Sequence, residues 1–171
     1  MPLAKARSVL PAPRALRLVL DTNVWLDWLV FMDADVAPIK AAVTHGTAQI
    51  FQSPACANEL QRVLAYSLSG RALDAAAQDA AMSVCRAITI AVPQSCTAAG
   101  ASELPRCADP DDQMFLELAR DCDADALITK DRDLLALATR KVKPLPFRIL
   151  TPRAFLQEKL VSHLKGIEPH F

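Results

Sequence analysis

Residues 16–20 read Leu-Arg-Leu-Val-Leu and are followed by Asp21. A short run that is apolar at nearly every position suits a strand buried on both faces, as in a parallel sheet. A carboxylate at its end then lies where open α/β sheets bind their ligands. Taken alone, Asp21 reads better as a helix N-cap, because Asp, Thr and Asn all start helices and residues 24–30 look helical. The pattern recurs downstream, however. Ala126, Leu127, Ile128 and Thr129 form another short apolar run, and Lys130 and Asp131 follow it. Two buried strands, each delivering an Asp to its end, narrow the choice of fold sharply.

Strands and helices alternate between and around these runs. Residues 24–30 read as a short helix carrying Trp25 and Trp28, interrupted at residues 33–36. Pro38 opens a helix to about His45, and Gly46 closes it as a C′ glycine. Residues 49–52 form a second strand. Ser53 then caps a helix with Pro54 in its first turn and Leu60, Val63 and Leu64 on its apolar face. Residues 72–90 are Ala-rich and helical, turning into a third strand over 89–92. Residues 94–108 read as a surface loop. Asp109, Pro110, Asp111 and Asp112 open the next helix, whose buried stripe is Met114, Phe115, Leu118 and Cys122. Residues 134–140 are helical, 147–150 form the last strand, and Thr151-Pro152 starts a helix to about Lys165. This alternation indicates a three-layer α/β/α fold around a parallel, doubly wound sheet with right-handed crossovers. The expected organisation is a loose leader over 1–15, one domain over 16–165 and a tail over 166–171.

Charge and cysteine content restrict the function classes. The formal net charge of the 171 residues is zero, which argues against nucleic-acid binding driven by bulk charge. Basic residues nevertheless gather at both ends of the chain, Lys5, Arg7, Arg14 and Arg17 early and Lys130 to Arg153 late, with acids concentrated between. The five cysteines (Cys56, Cys85, Cys96, Cys107, Cys122) form no CxxC pair, so a zinc site is not expected. Cys56 and Cys85 read as small core residues, and a reducing cytoplasm fits best. The start is not a secretory signal, and no run is apolar enough to span a membrane.

Four acids fall at comparable places: Asp21 and Asp131 at strand ends, Asp112 at a helix start, and Glu59 on the helix after the second strand. Capping and surface exposure account for each singly. Three carboxylates within one turn at Asp109, Asp111 and Asp112 still repel one another, and such crowding is best tolerated around a shared cation. In a doubly wound sheet the four acids converge on one edge. Clustered carboxylates suit a hard divalent cation such as Mg²⁺, which keeps several waters and takes a few carboxylates plus substrate phosphates.

These motifs, in this order, resemble the PIN-domain nucleases. The resemblance is carried by residues 18–24, by Ser53-Pro54 with Glu59-Leu60 and Val63-Leu64, by Asp109 to Asp112 with Phe115 to Ala119, by residues 124–135, and by Ile149 to Pro152 with Phe155-Leu156. It covers nearly the whole of residues 16–156. The chain looks most like the VapC-like branch, described as toxins of toxin–antitoxin systems. The resemblance implies a metal-dependent endoribonuclease that hydrolyses RNA phosphodiester bonds with Mg²⁺ or Mn²⁺, restrained by a cognate antitoxin. It matches Asp21, Glu59, Asp112 and Asp131 to the family's catalytic, metal-binding acids and Asp133 to an accessory acid. It makes Asn23 and Thr129 residues that hold those acids, and Asp109 and Asp111 typical of the branch. Two positions depart from the pattern: Gln113 stands where a third consecutive acid is common, and Lys130 where Gly is frequent. Lys130 would contact phosphate or pair with a neighbouring carboxylate. Lys130, Arg132, Arg140, Lys141 and Lys143 are the candidate RNA contacts.

Other readings compete. A haloacid-dehalogenase-like phosphatase needs a second acid two residues after the first, and Asn23 stands there. A non-catalytic PIN module and an RNA-processing housekeeping nuclease both remain as alternatives. Trp25, Trp28 and Phe31 read as core, as a homodimer seam or as a partner surface.

Overall fold

The structure is a computed structural model that describes residues 14–66, 72–93, 104–139 and 144–165. Its centre is a five-stranded, wholly parallel sheet in the order β3-β2-β1-β4-β5. The strands are β1 (Leu16–Leu20), β2 (Ala48–Gln52), β3 (Thr89–Ala91), β4 (Ala126–Ile128) and β5 (Arg148–Leu150). From β1 the chain winds outward through β2 to β3, then crosses back so that β4 pairs with the other side of β1. The order therefore reverses between β1 and β4, which is where a doubly wound sheet opens its ligand crevice.

Burial on both faces explains the apolar strands. Leu18, Leu20 and Ile50 point into one core layer with Trp25, Ile39, Leu60, Leu64, Met82 and Phe155. Val19, Phe51 and Leu127 point into the other with Phe115, Leu116, Leu134 and Ile149. The helices α1 (Thr22–Leu26), α2 (Ala37–Thr44), α3 (Pro54–Leu64), α4 (Ala75–Ile88) and α7 (Pro152–Lys165) supply the first layer, and α5 (Gln113–Asp121) and α6 (Arg132–Leu137) the second. This is the α/β/α architecture expected from the alternating pattern. Among the described residues, no helix is long and apolar enough to cross a membrane.

Caps set several boundaries differently from the periodicity. The Ala-rich helix starts at Ala75 rather than near residue 72, because the Asp74 side chain accepts from Ala77 N–H at 2.8 Å. The helix expected over 134–140 begins at Arg132, because Asp131 caps it, and α6 ends at Leu137. The helix after Asp109 opens with a 3₁₀ turn over Pro110–Asp112 before α5 begins. The first helix does not stop at residue 30: α1 runs on into a π-helical turn, Asp27–Phe31, which ends at Met32 in the left-handed region. The expected break at residues 33–36 is itself a 3₁₀ turn, Ala34–Val36, capped by Asp33. The leader to residue 13, the tail from 166 and most of the expected loop at 94–108 lie outside the described residues. In the part of that loop that is described, Cys107 is buried in the second core layer.

Trp25 is a core residue, 1% exposed, so it is not available as a partner surface. Its ring centroid lies 5.8 Å from that of Trp28, which is partly buried against the same layer, whereas Phe31 is exposed.

Candidate metal centre

The parallel register sets the site. Leu20 pairs with Ile128, so the next residues on the two strands, Asp21 and Thr129, stand side by side at the crevice. The Asp21 N–H donates to the Ile128 carbonyl at 3.0 Å, prolonging the ladder to the carboxylate itself. Both residues are buried, Thr129 completely.

Thr129 Oγ1 organises two acids at once. It donates to Asp21 Oδ2 at 2.5 Å and accepts from the Asp131 N–H at 2.9 Å. Asn23 Nδ2 donates to the same Asp21 oxygen at 2.5 Å, and Asn23 Oδ1 accepts from the Lys130 N–H at 3.2 Å. Asp131 Oδ1 accepts from the Asp133 and Leu134 N–H groups at 2.8 and 3.0 Å. The cap reading and the site reading thus coexist at Asp131, since a carboxylate has lone pairs for both. Asp21 carries no side-chain cap bond, although it precedes α1.

Electrostatics places Asp112 with them. Burial, then the charges of Asp21, Asp131, Asp109 and Asp111, push the Asp112 carboxyl up to about 7. Burial likewise raises Asp21; its bonds from Thr129, the Thr22 N–H and Asn23 oppose that rise, and the Asp131 charge adds to it. Asp109 Oδ1 accepts from the Asp111 N–H at 2.9 Å as a cap, and both residues are exposed. Asp133 is also exposed.

Glu59 is placed otherwise. Its Oε2 is held by Arg62 Nε and Nη2 at 2.9 and 2.5 Å along the surface of α3. One turn earlier on α3, the Cys56 thiol donates to the Met114 carbonyl at 3.9 Å; burial raises it to about 11, and the Asp21 charge adds to that rise. Asp21 and Asp131 are thus joined through Thr129, the charges of both act on Asp112, and the Glu59 carboxylate is engaged by its neighbour.

Two contributors were not legible in the sequence. Asp27, buried in the π-helical turn, lies 2.5 Å by its Oδ2 from Lys130 Nζ. The cation at the departure from the usual Gly therefore pairs with a carboxylate. Gln113, the other departure, ties down the segment before the acidic turn: its Oε1 accepts from the Cys107 N–H at 2.8 Å and its Nε2 donates to the Pro105 carbonyl at 3.4 Å. An acid at 113 would accept but not donate. Arg132 is exposed beside Asp131, and Arg140, Lys141 and Lys143 lie outside the described residues. Of the early basic group, the two described residues, Arg14 and Arg17, are not beside the acids. Arg14 forks onto Asp125 at the opposite end of the sheet, where Arg17 Nε donates to the Cys122 carbonyl.

The donor set fits a hard divalent cation. It is all carboxylate oxygen, and the acids raise one another's proton affinity, a repulsion that a cation relieves. Among the described residues, no group of three or more His, Cys, Asp or Glu side chains is arranged to hold a metal ion.

Buried Asp21 and half-buried Asp131 meet at the switch point of a wholly parallel sheet in an α/β/α fold. A family model described as PIN domain matches residues 17–133, 117 of the 171, and the chain belongs to the PIN-domain family. Proteins of this family are generally nucleases and generally need divalent metals. No curated protein matches the chain.

Proposed function

We propose that this PIN-domain protein is a metal-dependent endoribonuclease and the toxin of a toxin–antitoxin pair. The observation that carries the catalytic part is the single Thr129 hydroxyl joining Asp21 and Asp131 at the switch point, with Asp112 alongside. Asp21, Asp112 and Asp131 would hold Mg²⁺ or Mn²⁺, with Asp133 as an accessory acid and Glu59 joining on release from Arg62. When bound, such an ion lowers the pKa of its water and stabilises charge building on the phosphate. The chain's own part is to fix the carboxylates: Thr129 and Asn23 aim Asp21, and the Asp131 backbone is anchored on Thr129. Exposed Arg132, next to Asp131, would meet a substrate phosphate, as would Arg140, Lys141 and Lys143.

A cytoplasmic ribonuclease of this kind needs restraint. An antitoxin segment carrying an Arg would satisfy these carboxylates bidentately and compete with the metal. Exposed Phe31 and Met32 offer an apolar anchor for that segment or for a second copy of the chain.

The test is cleavage of labelled single-stranded RNA by the purified chain with Mg²⁺, with Mn²⁺ and with EDTA, single-stranded DNA run in parallel. Activity indifferent to EDTA removes the metal reading. Expression alone should slow growth, and co-expression of the adjacent small gene should restore it. Harmless expression of an active enzyme favours a housekeeping RNA-processing nuclease. The Glu59–Arg62 pairing is what favours the alternative of a non-catalytic PIN module, and inertness toward RNA would make that reading the leading one.

A further inference from the structure

Lys130 stands between Thr129 and Asp131, so its side chain leaves the backbone among the acids. Its N–H donates to Asn23 Oδ1 at 3.2 Å, and Nδ2 of the same amide donates to Asp21 Oδ2 at 2.5 Å. One asparagine amide therefore separates the Lys130 backbone from the Asp21 carboxylate, a gap that a lysine's flexible four-carbon stem can span. The ammonium is nonetheless turned elsewhere. Its Nζ lies 2.5 Å from Oδ2 of Asp27, in the π-helical turn that follows α1.

Two sets of carboxylates thus have a claim on one ammonium. Asp27 is 4% exposed, and its Oδ2 has no partner among the described residues apart from Lys130. A buried carboxylate costs free energy unless it is paired, so the pull of Asp27 is strong. The Lys130 side chain is 43% exposed, so it is the Asp27 charge, more than packing, that holds it there. On the other side, the charges of Asp21, Asp131, Asp109 and Asp111 bear together on Asp112. An ammonium among these acids would relieve their repulsion as a metal ion would.

We propose that Asp27 is a positioning residue that keeps the Lys130 ammonium off the metal acids, leaving Asp21, Asp112 and Asp131 open to a divalent cation; the proposal rests on the metal reading of those acids given above. Without the Asp27 charge, the ammonium swings to the acids and becomes a tethered competitor of the metal. Removing the ammonium as well removes the competitor. A pair that merely braced the loop after β4 would behave differently. Cutting it from either side, at Asp27 or at Lys130, would loosen the centre alike, and cutting both would restore nothing.

Titration calorimetry of the full chain with Mn²⁺, without RNA, separates the two. Asp27→Asn should weaken Mn²⁺ binding by about tenfold, the scale on which groups outside the ligand set act on metal affinity. Lys130→Met should bind Mn²⁺ as the wild type does or more tightly, and the double variant should return to the wild-type affinity. Urea unfolding of each variant checks that the titrated protein is folded. Should Asp27→Asn not fold alone, Lys130→Met and the double variant decide by the same criterion. Undiminished binding in Asp27→Asn, or weakened binding in Lys130→Met or in the double variant, overturns the proposal while the metal reading stands. A wild-type chain that binds no Mn²⁺ removes the metal reading itself, and the proposal with it.

Discussion

Thr129 Oγ1 lies 2.5 Å from Asp21 Oδ2, a bond between residues 108 positions apart in the chain. It fixes the carboxylate that ends β1 against the strand that returns beside it, and the same hydroxyl receives the Asp131 N–H. Thr129→Val keeps the shape and removes the donor. It should leave the fold intact and weaken Mn²⁺ binding, read by titration calorimetry, together with RNA cleavage by about 10- to 100-fold, the usual cost of losing a group that orients a ligand. Wild-type metal affinity in that variant would show that Asp21 needs no such support.

Asp21→Asn should cost more than that, beyond about 100-fold in cleavage, because on the proposed metal reading it removes a ligand's charge rather than its orientation. The amide can still accept from Thr129 and Asn23, so the thermal transition should change little. Cleavage at the wild-type rate would mean that the metal centre is elsewhere.

Asp112 makes the metal-free protein sensitive to pH. Its carboxyl titrates at about 7 in the folded chain against 3.8 as the ordinary value, with burial as the first cause. Between these two values the folded state binds the extra proton, so stability falls as pH rises from about 4 to about 7 and stays lower above. Asp112→Asn should flatten this decline in thermal melts recorded with EDTA and stabilise the chain at pH 8. Addition of Mg²⁺ should do the same for the wild type. An unchanged slope in Asp112→Asn would assign the dependence to other groups.

Asp27 and Lys130 form a pair of unequal burial, the carboxylate inside and the ammonium 43% exposed. Lys130→Met leaves the buried Asp27 charge without its partner and should destabilise by about 1–3 kcal/mol, read by urea unfolding. Adding Asp27→Asn should recover part of that loss in a double-mutant cycle. If Lys130 instead served RNA alone, Lys130→Met would leave stability unchanged and lower only RNA affinity.

The sequence by itself determined the alternation of strands and helices, the acids at the ends of β1 and β4, and most of the caps. These features are written in spans of a few residues: apolar runs set strands, and Asp, Ser or Pro at a boundary sets where a helix starts. Even so, periodicity placed the start of α4 early, because it registers apolar spacing but not the Asp74 cap. The pairings across the fold were decided only in three dimensions. That Asp112 shares the field of Asp21 and Asp131, that Glu59 turns to Arg62, that Trp25 is core, and that Lys130 meets Asp27 all depend on strand order and layer. Those follow from how the whole chain closes its two cores, which is a sum over distant contacts that no local stretch of residues records.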